Sequence, residues 1–266
     1  MKKLYAMLAL LLAVAPASAD PIDDAVAAAS RTEANVARDR YRHPAETLRF
    51  FQVEPDMTVV EIWPGGGWYT EILAPLLAEK GKLFVALYSD TAEGLPAYQP
   101  RLNKAMRDRF KADPAVYGKV EITHLHLPDE TQVAPEGSAD RVLTFRNVHN
   151  WLADDQAEDA FRAFFKALKP GGLLGVVEHR AKPGTDLETM KNSGYVTEEK
   201  VKELAKQAGF EFVAASEINA NPKDDANHPR GVWTLPPTLA LGEQDRERYL
   251  AIGESDRMTL LFRKPE

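Results

Sequence analysis

The sequence contains no cysteine, and this absence excludes disulfides and any lipid-modified cysteine behind an export signal. Glycine and proline, at 16 and 18 of 266 residues, are too few for a low-complexity chain. Basic residues are outnumbered by acidic ones, 33 against 40, a balance that does not suit nucleic acid as a partner. The protein therefore depends on a hydrophobic core, and the chain is long enough to supply one.

The N-terminus has the pattern of a secretory signal. Lys2 and Lys3 precede an apolar run from Leu4 to Val14, and small residues follow at 17–19. The run is too short to span a bilayer comfortably. We expect cleavage after residue 19, which leaves a periplasmic or secreted protein without stable membrane insertion. Loss of the two lysines would change the formal net charge from −7 to −9.

Residues 20–57 are predicted to form a helical extension. Residues 20–38 are rich in alanine, with acidic residues early and arginines late, a charge order that complements a helix dipole. A second helix should begin near Pro44, because an apolar face at Leu48, Phe51 and Val53 follows it. The extension either lies loosely on the main domain or caps one edge of its ligand site.

From residue 58 onward, short apolar runs alternate with amphipathic stretches. The expected strands are 58–63, 83–87, 120–127, 140–145, 173–178, 210–217 and 257–262. The expected helices are 69–78, 100–111, 157–168 and 197–208. This alternation predicts a Rossmann-like α/β fold, with a seven-stranded, mostly parallel sheet and helices on both faces. No repeat or linker divides the region, so 58–266 is expected to be one domain.

A glycine-rich turn follows the first of these strands in the segment VVEIWPGGGWYT, residues 59–70. Gly65, Gly66 and Gly67 stand where glycine lets the backbone approach a ligand and leaves the first N–H groups of the next helix free. Glu61, near the C-terminal end of that strand, can place a carboxylate at the edge of the crevice, where it suits hydroxyl or ammonium donors. A generic tight turn would also explain a glycine run, so its position between an apolar strand and a helix carries the argument.

Three segments together resemble the class I S-adenosylmethionine-dependent methyltransferase family. They are residues 59–70, GSADRVLTFRNVHNW at 137–151 and LKPGGLLGVVEHR at 168–180. The resemblance covers most of 58–262 and implies an antiparallel last strand, S-adenosylmethionine as cofactor and methyl transfer to a small or medium-sized acceptor. More narrowly, YRHPAETLRFFQV and PGGGWYTEILAPLL resemble a group of exported bacterial proteins described as predicted methyltransferases.

The resemblance implies cofactor-binding residues near the ends of the first four strands: Glu61, Gly65, Gly66, Gly67, Asp90, Asp129 and Arg146. Two positions depart from the family pattern. Trp63 stands where a glycine is common, so its side chain must point away from the cofactor or narrow the site. The second strand ends at Leu87 without the acid that would hold the ribose, and Asp90 is either its replacement or an ordinary turn aspartate.

Polar and aromatic residues follow the fourth strand, where a parallel sheet opens its crevice. His149 is the predicted general base, since imidazole titrates near neutral pH, and Asn147 is predicted to orient the acceptor or the cofactor. The alternative for His149 is a histidine satisfied by hydrogen bonds at a strand end. Acceptor-binding residues are expected before the second helix, after the fourth strand and in a long flap at 219–242: Tyr41, His43, Trp151, His228, Arg230 and Trp233.

Metal binding is not predicted. His124 and His126 share one face of a strand, and Asp224, Asp225 and His228 cluster in the long loop. Neither group has a full ligand set at a recognisable spacing.

Two functions from different classes remain open. One is methyl transfer from S-adenosylmethionine. The other is an exported binding or assembly protein that keeps the fold without catalysis, favoured by Trp63, by the missing second-strand acid and by the cytoplasmic origin of the cofactor. A nicotinamide-dependent dehydrogenase fits the glycine spacing and the two closing strands less well. The sequence identifies neither the acceptor nor the oligomeric state.

Overall fold

A seven-stranded sheet lies at the centre of the protein, whose computed structural model describes residues 20–266; the expected signal at 1–19 lies outside the described residues. The strands are β1 (Thr58–Ile62), β2 (Lys82–Leu87), β3 (Glu121–His124), β4 (Ala139–Phe145), β5 (Leu168–His179), β6 (Glu211–Ser216), β7 (Pro229–Val232) and β8 (Arg257–Arg263). The sheet order is β3-β2-β1-β4-β5-β8-β6, with β8 antiparallel to both neighbours. The predicted Rossmann-like fold with an antiparallel last strand is confirmed.

Helices cover both faces of this sheet. Those of the extension are α1 (Pro21–Val26), α2 (Glu33–Val36), α3 (Asp39–Arg42) and α4 (Pro44–Phe50). The others are α5 (Thr70–Leu77), α6 (Tyr98–Ala112), α7 (Pro114–Tyr117), α8 (Val148–Ala153), α9 (Ala157–Ala167), α10 (Leu187–Ser193), α11 (Glu198–Gln207) and α12 (Arg246–Ile252). Val60 and Ile62 of β1 pack into one apolar core and Val59 into the other, because successive side chains of a strand alternate between faces.

The extension departs from the single helix expected over 20–38. Residues 20–38 hold two short helices, α1 and α2, because groups between them have partners elsewhere. The Arg31 guanidinium donates to the Val26 carbonyl and to the Asp39 carboxylate, each at 2.7 Å. The Thr32 amide donates to the Glu71 carboxylate of α5 at 3.1 Å. The second predicted helix is present and begins at Pro44.

The extension is packed firmly onto one face of the sheet. Ile22 lies buried against α5, and Leu48 and Phe51 are fully buried. The Phe51 ring rests on Gly175 of β5, where an added Cβ would lie 2.7 Å from a ring carbon. The extension is therefore part of the domain core, which excludes the loose arrangement considered from the sequence.

Two more segments differ from expectation. The Lys169 to Gly172 segment, which lies between the helix expected to end at 168 and the strand expected to begin at 173, belongs to the long strand β5, which pairs with β4 through an irregular register at Ala139. The flap expected at 219–242 contains a short strand, β7. Across residues 20–266, none of the helices combines the length and apolar character that crossing a membrane requires.

Candidate functional site

Three cavities open near the carboxyl ends of the sheet strands. The glycine-loop cavity, about 180 Å³, is lined by Glu61, Gly65, Gly66 and their neighbours. The β3-side cavity, about 370 Å³, lies between Tyr88 and Leu125. The His149 cavity, about 270 Å³, has His149 as part of its wall. The glycine-loop cavity shares Trp63 and Tyr88 with the β3-side cavity, and it shares three arginines with the His149 cavity. The three cavities therefore form one connected region of the crevice where Rossmann-like folds bind ligands.

The glycines of the turn have different surroundings. An added Cβ at Gly65 or Gly66 would meet no atom within 4 Å, so their backbone faces open space in the glycine-loop cavity. Gly67 has φ +81°, and a Cβ there would lie 2.9 Å from Met106 Cε and 2.8 Å from Arg109 Nη1. Gly65 and Gly66 therefore have the exposure that a cofactor contact requires, whereas Gly67 permits the close approach of α6.

Glu61 is a buried carboxylate on the wall of the glycine-loop cavity. The Thr70 hydroxyl donates to its Oε2 at 2.6 Å. Burial raises the pKa of Glu61 to about 7, although the Thr70 hydrogen bond and the charge of Arg146 act in the opposite direction. A cation or a strong donor arriving in the cavity would favour the ionised carboxylate.

Trp63 is the partition between the glycine-loop and β3-side cavities. Its backbone is left-handed, with φ +43°, and its indole N–H donates to the Leu125 carbonyl at 3.1 Å. Its ring centroid lies 4.8 Å from that of Tyr88 and 5.2 Å from that of Trp151. The indole thus points across the sheet toward β3, and the open space above Gly65 is kept.

Asn147 links the ends of β1 and β4. Its side-chain amide donates to the Ile62 carbonyl at 2.9 Å, and it also lies near Thr144 Oγ1 at 3.3 Å. Asn147 lines the glycine-loop cavity, but its amide hydrogens already have protein partners. Its contacts fit a residue that fixes the geometry of the two strand ends.

His149 is held by Glu178 through both its ring and its backbone. The distance from His149 Nδ1 to Glu178 Oε1 is 3.0 Å, and the His149 amide donates to Oε2 at 3.2 Å. The Trp233 ring centroid lies 6.0 Å from that of His149 across the cavity. A carboxylate on Nδ1 favours the tautomer that carries its proton on Nδ1 and leaves Nε2 able to accept one, as a general base requires.

The sequence places Glu178 after the fifth strand, facing the crevice, but assigns it no role in the site. The sequence did carry a signal for it, because Phe145 pairs with Val177 in parallel β4 and β5, which brings the residues after both strands together. Recognising the pair required the sheet register.

An arginine cluster, defined as Arg38, Arg42, Arg146 and Arg257, surrounds Glu254. The Glu254 carboxylate lies 2.6 Å from Arg38 Nε, 3.1 Å from Arg42 Nε and 3.2 Å from Arg257 Nη1. Burial would raise the pKa of Glu254, but the arginines lower it to about 2. Burial lowers the pKa of Arg146 to about 10. Four of these five residues are outside the predicted site, because they come from opposite ends of the chain.

Several other predicted residues lie away from the three cavities. The Asp90 carboxylate is engaged by Arg107 and by the Asn103 amide. Asp129 is exposed in a turn, and Tyr41 and His43 flank the junction of α3 and α4. The structure brings none of these four to a cavity wall.

The other residues predicted to bind the acceptor lie in different parts of the structure. Trp233 lines the His149 cavity, as expected. Trp151 is fully buried in the core and supports Trp63. His228 points inward, with Nε2 2.8 Å from Asp224 Oδ1, and Arg230 is exposed. Of the predicted flap residues, Trp233 therefore contacts the site.

Two groups within residues 20–266 bring three potential metal ligands within 4.8 Å of one another. They are His149, Glu178 and His179, and Asp224, Asp225 and His228. In the first group, the Glu178 carboxylate already accepts hydrogen bonds from the His149 and His179 backbone amides. In the second, Asp224 accepts from the Tyr195 hydroxyl and the Ala226 amide. These hydrogen bonds hold the two carboxylates in place.

The fold is shared with solved methyltransferase structures. A S-adenosylmethionine-dependent methyltransferase from Aquifex aeolicus aligns with TM-score 0.55 and 14% identity, over 93% of this chain and 100% of that one. The N-methyltransferase NodS from Bradyrhizobium japonicum gives 0.52 and 16%, over 86% and 98%. The cyclase SpnF gives 0.56 and 17%, over 92% of each chain. The chain therefore has the methyltransferase fold.

No family model matches the chain, and no curated protein has significant sequence similarity to it.

Proposed function

We propose that this protein transfers a methyl group from S-adenosylmethionine to a small-molecule acceptor. The observation that carries the proposal is the convergence of Glu61 with the open backbone of Gly65 and Gly66 on one cavity at the end of β1. A buried carboxylate with a pKa of about 7 suits a ligand that brings ammonium and hydroxyl donors. The methyltransferase fold around this cavity supports the same cofactor.

The residues fit a division of the cofactor between the cavities. Glu61 and the glycine backbone would hold its amino acid and ribose portions. Tyr88, Trp63 and Leu127 on the β3 side offer the aromatic and apolar surface that an adenine ring requires. When bound, the cofactor supplies an electrophilic methyl group.

His149 is the proposed base on the acceptor side. Transfer of the methyl group from the sulfonium to an acceptor oxygen or nitrogen would break the sulfur–methyl bond and leave S-adenosylhomocysteine, and His149 Nε2 would accept the proton that the acceptor atom loses. The Glu178 carboxylate 3.0 Å from Nδ1 stabilises the imidazolium that results. Trp233 lies across the cavity, where it can hold the acceptor and exclude water.

Calorimetric titration with S-adenosylmethionine and S-adenosylhomocysteine tests the cofactor assignment. Glu61→Gln keeps the side-chain size and removes the charge, so we expect binding to weaken at least about tenfold, since a charged hydrogen bond contributes about 1.5–3 kcal/mol. Glu121→Gln is the matched control, because Glu121 is exposed at the start of β3, at the opposite end of that strand from the cavities, and its binding should equal that of the unaltered protein. Absence of heat with both ligands would refute the proposal.

The competing function is that of an exported binding or assembly protein that keeps the fold without catalysis. The two functions differ in turnover. Transfer of labelled methyl to a small-molecule extract supports the enzyme, whereas cofactor binding with no transfer to any component supports the binding protein.

We propose also that the protein is exported, on the pattern at residues 1–19. The mass of the protein from its native cell should correspond to a chain that begins at residue 20. A mass that includes residues 1–19 would contradict this proposal.

A further inference from the structure

We propose that the acceptor carries an anionic group, a carboxylate or phosphate, which binds Arg38, Arg42 and Arg146 beside His149. This inference rests on the proposed function, because it concerns the acceptor of that reaction. The three arginines are the residues that the glycine-loop cavity and the His149 cavity have in common. An anion held by them would lie between the cofactor and the base.

The guanidinium groups have unused hydrogen-bonding capacity. Arg42 is 3% exposed, and its Nη1 is buried without a hydrogen-bond partner among residues 20–266. Arg38 and Arg42 contact Glu254 through their Nε atoms. No ion pair within the described part of the chain includes Arg146. A buried donor without a partner destabilises the protein, so a ligand that accepts a hydrogen bond from it is stabilised.

Along the cavity walls the positive groups outnumber the carboxylates. Arg38, Arg42 and Arg146 line both cavities, whereas Glu254 is the carboxylate that lines the His149 cavity and Glu61 the one that lines the glycine-loop cavity. S-adenosylmethionine brings one carboxylate, one ammonium and one sulfonium, and therefore adds positive charge. An anionic acceptor would reduce this excess.

The left-handed backbone of Arg146 supports a binding role. Its φ is +63°, an uncommon conformation for a residue with a side chain, which tends to persist where a site requires it. Arg146 follows Phe145 directly at the end of β4, so this conformation sets the direction in which the side chain leaves the sheet.

The rest of the His149 cavity defines the other part of the acceptor. Val232, Trp233 and Pro236 give it an apolar wall facing the arginines. An acceptor with an anionic end and an aromatic or aliphatic body would satisfy both walls. Such a molecule would present its hydroxyl or amine to His149 and to the cofactor side.

The binding of small anions to the protein tests the inference. The protein saturated with S-adenosylhomocysteine is titrated with benzoate, inorganic phosphate and neutral benzamide at constant ionic strength near 0.15 M, which limits non-specific charge effects. We expect benzoate or phosphate to bind, with the stronger of the two indicating a carboxylate or a phosphate acceptor, and benzamide to bind at least about tenfold more weakly.

Arg146→Gln should weaken anion binding at least about tenfold. Arg40→Gln should leave anion binding unchanged, because Arg40 is an exposed arginine of the N-terminal extension and lies outside the cavities. Failure of both anions to bind, or an equal loss in the Arg40 variant, would overturn the inference. A loss of S-adenosylhomocysteine affinity in Arg146→Gln without anion binding would assign the arginines to the cofactor and also overturn it. Failure of S-adenosylhomocysteine itself to bind would instead count against the proposed function.

Discussion

The pairing of His149 with Glu178 gives the site a testable chemical step. His149→Gln retains a similar volume and a polar end but cannot accept the acceptor's proton. We expect methyl transfer to fall about 10²–10⁴-fold, the usual contribution of a positioned general base. Transfer of labelled methyl groups to a small-molecule extract measures this rate.

S-adenosylhomocysteine affinity is the control for that variant, because His149 lines the acceptor side and not the glycine-loop cavity. It should change by less than about twofold. Unchanged transfer in His149→Gln would remove His149 from the mechanism and leave the hydrogen-bonded strand-end histidine as its explanation.

Residues whose role depends on local structure could be predicted from the sequence. Glu61 and Gly65 stand on either side of one strand-to-helix turn, so a segment of twelve residues is enough to place them together. Arg38 and Glu254 meet at 2.6 Å although they are 216 residues apart. No periodicity or local motif records such a contact, which explains why the arginine cluster was missed.

At the scale of elements, the long strands, the amphipathic helices and the helical character of the extension were predicted, but the breaks within 20–38 were not. Alanine-rich sequence favours helix over 20–38, but the Thr32 amide is bound by Glu71 of α5 and the chain turns there. Tertiary contacts override helix propensity at this point. The start at Pro44 was correct because proline fixes the first turn of a helix locally.

The contact between Phe51 and Gly175 determines how the extension docks on the sheet. In Gly175→Ala the new methyl group would lie 2.7 Å from the Phe51 ring, so the ring must move. We expect a loss of about 1–3 kcal/mol in the free energy of unfolding, the usual cost of overpacking a core. Urea unfolding measures this difference.

The double variant Gly175→Ala with Phe51→Leu provides the control. Leucine leaves room for the added methyl group, so the two substitutions should cost less together than the sum of their separate effects. Strict additivity would show that the ring and the glycine do not interact as the structure indicates.

For the whole molecule, the buried carboxylates predict a particular dependence of stability on pH. The pKa of Glu61 rises from 4.5 to about 7 on folding, so the folded state holds a proton that the unfolded chain has released between these values. The stability that this protonated Glu61 contributes is fully present below pH 4.5 and is lost as the pH rises to about 7. Glu254, with a pKa of about 2, acts in the opposite sense and contributes stability that is lost as the pH falls below 4.5.

Comparison of the unaltered protein with Glu61→Gln isolates the first effect. Between pH 5 and 7, the unaltered protein should lose about 2–3 kcal/mol more unfolding free energy than the variant, following the shift of Glu61. Thermal and urea unfolding at these pH values measure the difference. Parallel curves for the two proteins would show that Glu61 is ionised in the folded protein throughout this range.

The whole fold was the most predictable feature, because the alternation of apolar runs and helices is repeated along the chain and each unit supports the same sheet. The reaction is less determined by the fold, since the cyclase SpnF aligns as well as the methyltransferases do. Function therefore depends on the side chains at the strand ends.

The pairing of Arg38 and Arg42 with Glu254 has a consequence for the order in which the protein is made. Synthesis proceeds from the N-terminus, so both arginines leave the ribosome more than two hundred residues before their carboxylate partner. Until Glu254 follows, a partly made chain that packed its extension would bury two cations without a counter-charge, which is strongly unfavourable. The arginine cluster therefore gains its counter-charge only after Glu254 has been made, late in synthesis.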